Sequence, residues 1–98
     1  MEIVLEASHT HLYPGHEGKV AGVGTVPALP AGATCRIDFA DGSVALGSLT
    51  HERGDDWTLE VSPYTTAAGT AMPAKRWRLG LRQEEDRVAF RIRRKLDG

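Results

Sequence analysis

The last quarter of the sequence alternates between large apolar and charged side chains, and this alternation is typical of β-strands. Residues 76–82 read Arg-Trp-Arg-Leu-Gly-Leu-Arg, and residues 87–93 read Arg-Val-Ala-Phe-Arg-Ile-Arg. Successive side chains of a strand point to opposite faces of a sheet, so each segment has one apolar and one basic face. The acidic run at residues 84–86 predicts a turn between them. The two segments are therefore predicted to form a hairpin whose outer face is basic.

The clearest second hairpin lies at residues 34–48, where apolar and polar residues alternate up to Asp41-Gly42. An Asp-Gly pair is preferred in two-residue type I′ turns. Such a turn places Val44 and Leu46 on the inward face of the return strand, together with the apolar residues that precede the turn.

The remaining segments also favour strands, and none keeps an apolar period near 3.6 for the three turns that a helix usually needs. The chain is therefore predicted to be all-β, a small antiparallel meander of six to seven short strands closed into a barrel, as a single domain over residues 1–98. Closure is expected because it removes exposed strand edges. The predicted core consists of large side chains on the inward phases: Trp57, Trp77, Phe39, Phe90, Ile37, Leu59, Leu79 and Ile92.

The segment from Gly18 to Gly42 resembles the opening of SH3-like barrels, which also carry a glycine-rich strand followed by a hairpin at an aromatic-x-Asp-Gly turn. This resemblance implies a similar small barrel and is an analogy of fold. Residues 65–74, which are mostly small, form a connection longer than a hairpin needs. We expect that connection to be mobile or folded over the barrel mouth.

Charge is divided unevenly along the chain. Residues 1–74 carry three basic and nine acidic side chains, a net charge of −6, and residues 75–98 carry nine basic and four acidic ones, a net charge of +5. The basic excess predicts a binding face on the terminal hairpin. Its candidate residues are Arg76, Arg78, Arg82, Arg87, Arg91 and Arg93, with Lys95 beyond them.

Three kinds of anion could meet this face. The favoured hypothesis is an acidic protein surface, belonging either to a partner or to a second copy of the chain. RNA or single-stranded DNA is the first alternative, since phosphates would suit the same arginines. The chain's own acids on outward strand positions would also satisfy them: Glu2, Glu6, Asp38 and Glu60.

A metal site is a further alternative. His9, His11 and His16 lie close together in sequence, and imidazole suits zinc, nickel or copper. Their spacing matches no closed structural zinc pattern, and no cysteine lies near them. We therefore expect an exposed loop without a cofactor.

The sequence favours a non-enzymatic interaction module. It shows no convergent set of nucleophile, base and oxyanion donors. The single cysteine, Cys35, shares the inward phase of its strand, so we expect a buried, unreactive thiol. With one cysteine there is no internal disulfide, and no apolar run approaches the roughly 20 residues of a membrane span. A cytoplasmic protein without membrane partners is expected.

Overall fold

A computed structural model describes residues 2–9 and 11–96. Within these ranges the helical structure is a single 3-10 turn, Val26–Ala28, and no helix there is long and apolar enough to cross a membrane. Nine strands make up the rest of the regular structure. In chain order they are β1 (Val4–Ala7), β2 (Glu17–Ala21), β3 (Gly32–Phe39), β4 (Val44–Arg53), β5 (Asp56–Val61), β6 (Tyr64–Thr65), β7 (Ala71–Met72), β8 (Lys75–Glu84) and β9 (Arg87–Leu96).

Seven of the strands close into a barrel in the order β1-β2-β9-β8-β5-β4-β3. All neighbouring strands are antiparallel except β1 and β3, which are parallel with Leu5 beside Ile37. Antiparallel neighbours alternate in direction, and an odd number of strands cannot alternate all the way round a closed ring. One parallel pair is therefore required. The prediction of a small all-β barrel is confirmed. The barrel differs from a purely antiparallel meander in one respect, the parallel pairing of β1 with β3 that closes it.

The barrel interior holds the predicted core. All eight core residues named from strand phase are buried and belong to one cluster. Phe90 occupies space that Gly18 leaves open on the neighbouring strand, since a Cβ at residue 18 would lie 2.6 Å from the Phe90 ring. A glycine in β2 is thus a packing requirement of the core rather than a break in the strand.

The turn between β3 and β4 differs from the predicted one. A type I′ turn needs positive φ at both central residues, but of Asp41 and Gly42 only Gly42 has it, at 91°. The Gly42 N–H donates to the Phe39 carbonyl oxygen at 3.1 Å, and the Phe39 N–H donates to the Ser43 carbonyl oxygen at 2.9 Å. The turn therefore contains three residues instead of two, and the pairing register moves by one position.

This register reverses the faces of β4. Val44 lies opposite Asp38 and Leu46 lies opposite Arg36, on the outside of the barrel. Their exposed fractions are 48% and 64%, so the prediction that they face the core is wrong. Ala45 takes the inward position instead.

The strands β6 and β7 form a separate two-stranded sheet, here called the flap (residues 64–72). It is fixed to one end of the barrel, where the Tyr64 ring stacks on Phe39 with centroids 5.4 Å apart. The Ala67 N–H also donates to Ser43 Oγ at 2.8 Å. The connection expected to be mobile or folded over the barrel mouth is therefore folded over it.

The inward position of Phe90 and the outward position of Leu46 predict different losses of stability when each is replaced by alanine. Phe90→Ala is expected to lower the free energy of unfolding by about 3–5 kcal/mol, because it leaves a cavity in the core. Leu46→Ala is expected to change it by less than about 0.5 kcal/mol, because that side chain is exposed. Urea denaturation of both variants beside the unmodified protein measures the two values. A loss of about 2 kcal/mol or more in Leu46→Ala would contradict the register of β4.

Candidate functional site

The outer surface of β8 and β9, here called the arginine face, carries all six arginines that the sequence singled out. Arg78 is half-buried, and the other five are exposed. Their orientation follows from the core, because Trp77 and Leu79 of β8 and Phe90 of β9 are buried inside the barrel. Alternation then sends the intervening arginines outward.

A β-bulge in β9 adds a seventh arginine to this face. Arg78 pairs with Arg94 while Leu79 pairs with Ile92, so Arg93 is an extra residue in β9. The bulge brings Arg94 to the outside, directly opposite Arg78. Strict alternation would turn Arg94 inward, so Arg94 was not among the arginines predicted for this face. The sequence does contain an indication of this bulge. Residues 93–95 are all basic, and regular alternation would place one of them in the apolar core.

Three of the predicted arginines form ion pairs with glutamates of β5 and β8. Arg76 Nε lies 3.5 Å from Glu60 Oε1 across the β5–β8 pair. Arg82 and Arg87 share Glu84 at the end of the hairpin, with Arg87 Nε 3.8 Å from its carboxylate. These pairs are solvent-exposed, and such pairs contribute about 0–1 kcal/mol each. They neutralise charge without holding the hairpin together.

Arg93 forms the fourth pairing, with the two adjacent carboxylates at the start of β5. Its Nη2 lies 2.9 Å from Asp55 Oδ2, and its Nη1 contacts Asp56 Oδ1. This pairing was not predicted from the sequence, where both carboxylates were assigned to a turn. Asp55 does lie in the turn, but Asp56 is the first residue of β5 and lies opposite Gly80.

Three of the four acids expected to serve the arginine face lie elsewhere. Glu2 and Asp38 both pair with Arg36 of β3, at 3.1 Å and 2.8 Å. Glu6 lies opposite Lys19 in the β1–β2 ladder. The strand order accounts for this difference, since β1 and β3 adjoin each other and neither adjoins β8 or β9. Of the expected partners, only Glu60 reaches the arginine face.

Four cations near the ends of β8 and β9 form no ion pair within residues 2–9 and 11–96: Lys75, Arg78, Arg94 and Lys95. Like charges placed directly opposite each other, as Arg78 and Arg94 are, destabilise a sheet. In addition, Arg78 Nε is buried without a hydrogen-bond partner in the described part of the chain. Positive charge is therefore uncompensated at this end of the arginine face.

An open cleft of about 560 Å³ is lined by two of these cations, Lys75 and Lys95. It runs across the outside of four strands, along the outward row formed by Ser48, Glu60, Arg76 and Leu96. The other lining residues come from the flap connections and strand ends, and include Val61, Pro63, Pro73, Lys75 and Lys95. The cleft thus combines three cations and one carboxylate with apolar walls.

The histidine loop is organised around a buried ring. The His16 ring is 2% exposed and stacks on Tyr13, with centroids 4.6 Å apart. The Ser8 N–H donates to His16 Nε2 at 3.1 Å, so this nitrogen is the acceptor and the proton of the neutral ring lies on Nδ1. That arrangement uses the lone pair that a metal would need. In the part of the chain that the structure describes, no group of three or more His, Cys, Asp or Glu side chains could hold a metal ion.

Burial lowers the pKa of His16 below its ordinary value of 6.5, and the charges of His9 and His11 lower it further. A contact with the backbone of His11 acts in the opposite direction but is the smallest of these effects. The neutral ring is therefore the form that the fold stabilises.

Cys35 is buried among the inward residues of β3, as its phase predicted. Burial raises the pKa of its thiol from 9.0 to about 11. The nucleophilic thiolate is consequently a minor species at neutral pH.

Comparison with protein-family models, with curated proteins and with solved structures finds no match to this chain. Function is therefore inferred from the geometry and charge of the arginine face and its cleft.

The state of His16 predicts how stability depends on pH. The unfolded chain takes up a proton as the pH falls below about 6.5, whereas the folded chain does so only at lower pH. Stability should therefore be fully present above about pH 6.5 and decrease as the pH falls below it. Thermal denaturation between about pH 5 and pH 8 measures this slope.

A His16→Gln variant keeps a hydrogen-bond acceptor for Ser8 and has no titrating group at this position. It should lose the part of the slope that His16 causes, whereas His51→Gln, a substitution of an exposed histidine, should retain that part. An unchanged slope in His16→Gln would show that the buried ring does not control acid stability.

Proposed function

We propose that this protein is a non-enzymatic binding module that holds an acidic protein segment in the cleft at the end of the arginine face. The observation that carries the proposal is the position of the unpaired charge. Arginines farther along the hairpin, such as Arg82 and Arg87, already share Glu84. Among the cations that form no ion pair within the described residues, Lys75 and Lys95 line the cleft of about 560 Å³, and Arg94 lies on the neighbouring outward row.

The composition of the cleft favours a peptide as its occupant. Val61, Pro63, Pro73 and Leu96 supply apolar surface, and Lys75 and Lys95 lie at its rim. An extended acidic segment could place carboxylates on the cations and apolar side chains against the prolines. Binding of this kind draws affinity from apolar burial and specificity from charge.

Glu60 is the carboxylate that such a segment would displace. Its ion pair with Arg76 is long, at 3.5 Å, and both side chains are at least half exposed. Separation of an exposed pair costs about 1 kcal/mol or less. An incoming carboxylate can therefore take over Arg76 with a small penalty.

The aromatic residues favour a protein partner over RNA or single-stranded DNA. Single-stranded nucleic acids usually stack their bases on exposed aromatic rings among basic residues. Here Trp77 and Phe90 lie on the inner side of the same two strands, 4% and 1% exposed. The two tyrosines, Tyr13 and Tyr64, are half-buried and lie outside the arginine face. The arginine face thus offers charge to a nucleic acid without a stacking platform.

The acidic segment could belong to a second copy of this chain as well as to another protein. Residues 1–74 carry the net charge of −6, and they contain the five barrel strands other than β8 and β9. The same cleft would serve either partner, since what it recognises is an extended acidic chain.

A fluorescent peptide of alternating glutamate and valine tests the proposal by anisotropy titration. We expect micromolar affinity that weakens with salt, and a loss of about tenfold or more in the variant Arg94→Gln/Lys95→Gln. The matched control is Lys19→Gln/Arg87→Gln, which also removes two positive charges but lies outside the cleft. Its affinity should stay within about twofold of the unmodified protein.

Two results would overturn the proposal. Equal losses in the two double variants would show that net charge alone attracts the peptide. Tighter binding of a single-stranded oligonucleotide of equal charge, lost in Arg94→Gln/Lys95→Gln, would assign the site to nucleic acid instead.

A further inference from the structure

A second feature of the arginine face lies two rows of residues away from the cleft. The outward positions of β8 and β9 include two small residues, Gly80 and Ala89, which are diagonal neighbours because Gly80 pairs with Arg91 and Arg82 pairs with Ala89. Because neither position has a long side chain, the outer surface of the barrel is recessed between the neighbouring arginines. The result is a depression of about 120 Å³.

Three guanidinium groups surround this depression. Arg82 and Arg91 occupy the other diagonal of the same four residues, and Arg93 follows at the bulge of β9. The guanidinium of Arg93 lies over this glycine, since a Cβ at residue 80 would lie 2.6 Å from its Nη2. Gly80 therefore lets the guanidinium of Arg93 lie flat against the strand and face the depression.

The three arginines differ in how far the chain has neutralised them. Arg82 and Arg93 are oriented by their carboxylate partners, Glu84 and the Asp55-Asp56 pair. Arg91 lies opposite Glu17 in the β2–β9 ladder, yet it forms no ion pair within the described ranges. One guanidinium is thus available, between two whose positions are fixed.

We propose that this depression binds the terminal phosphate of a phosphate monoester. At about 120 Å³ the depression is small beside the cleft of about 560 Å³, which suits a group of a few heavy atoms. Planar guanidinium groups match phosphate oxygens with two parallel hydrogen bonds. The site is separate from the cleft, and it does not depend on the binding of an acidic segment.

Charge selects a monoester over a diester. Glu17 and Asp55 also line the depression, so an incoming anion competes with carboxylates for the arginines. A monoester carries a charge of about −1.5 to −2 at neutral pH, whereas a diester carries only a single charge. The monoester competes better for the same guanidinium groups.

An NMR titration with inorganic phosphate, against chloride at equal ionic strength, tests this site. We expect saturable shifts of the Gly80 and Ala89 amide signals with phosphate and none with chloride. Glycerol 2-phosphate should produce the same shifts, and dimethyl phosphate should bind at least about tenfold more weakly.

Two pairs of variants separate a built site from general charge. Arg91→Gln should weaken phosphate binding by about tenfold, whereas Arg87→Gln, on the same strand but outside the depression, should leave it within about twofold. Glu17→Gln should strengthen binding by about threefold, and Glu85→Gln, in the hairpin turn, should not. The proposal is overturned if no saturable shift appears, if dimethyl phosphate binds equally well, or if both members of either pair behave alike.

Discussion

Closure of the ring between β1 and β3 is the constraint on which the rest of this structure depends. With seven strands the last pair must be parallel, and the alignment of Leu5 with Ile37 provides it. Once the ring is closed, each barrel strand has one face toward the core and one toward solvent. The interior of a small barrel is just wide enough for its inward side chains to fill it, and here the inward residues of β8 and β9 are mainly large and apolar. Because Trp77 and Phe90 lie inside the barrel, the arginines that alternate with them on β8 and β9 lie outside.

The same ring decides which charges can neutralise each other. Glu2, which precedes β1, and Asp38 of β3 pair with Arg36 on their own side of the barrel, and acidic residues around β5 reach Arg76 and Arg93. Within residues 2–9 and 11–96, no ion pair includes Arg94 or Lys95 near the end of β9. A balanced total charge thus coexists with a local excess of positive charge beside an open cleft.

Strand phase was predictable wherever a strand runs without interruption, and the buried positions of Trp57 and Phe90 follow directly from alternation. The predictions were wrong or incomplete where one additional residue in a turn or a strand shifts the alternation of inward and outward positions. A three-residue turn at Gly42 exposes Leu46, and a bulge at Arg93 brings Arg94 outward. Both depend on local backbone conformations that side-chain patterns do not determine. The cleft and the ion pairs depend on strand order. Strand order results from contacts between segments far apart in sequence, which local side-chain patterns do not show.

A charge-swap experiment tests the central claim, that uncompensated cations beside the cleft recognise an acidic segment. In the variant Arg94→Glu/Lys95→Glu, the acidic glutamate–valine peptide should no longer bind, and a lysine–valine peptide of equal length should bind with micromolar affinity. The unmodified protein should show the reverse preference, and both proteins should unfold at similar urea concentrations. If the variant binds neither peptide while it remains folded, or if it still prefers the acidic one, recognition does not reside in these cations.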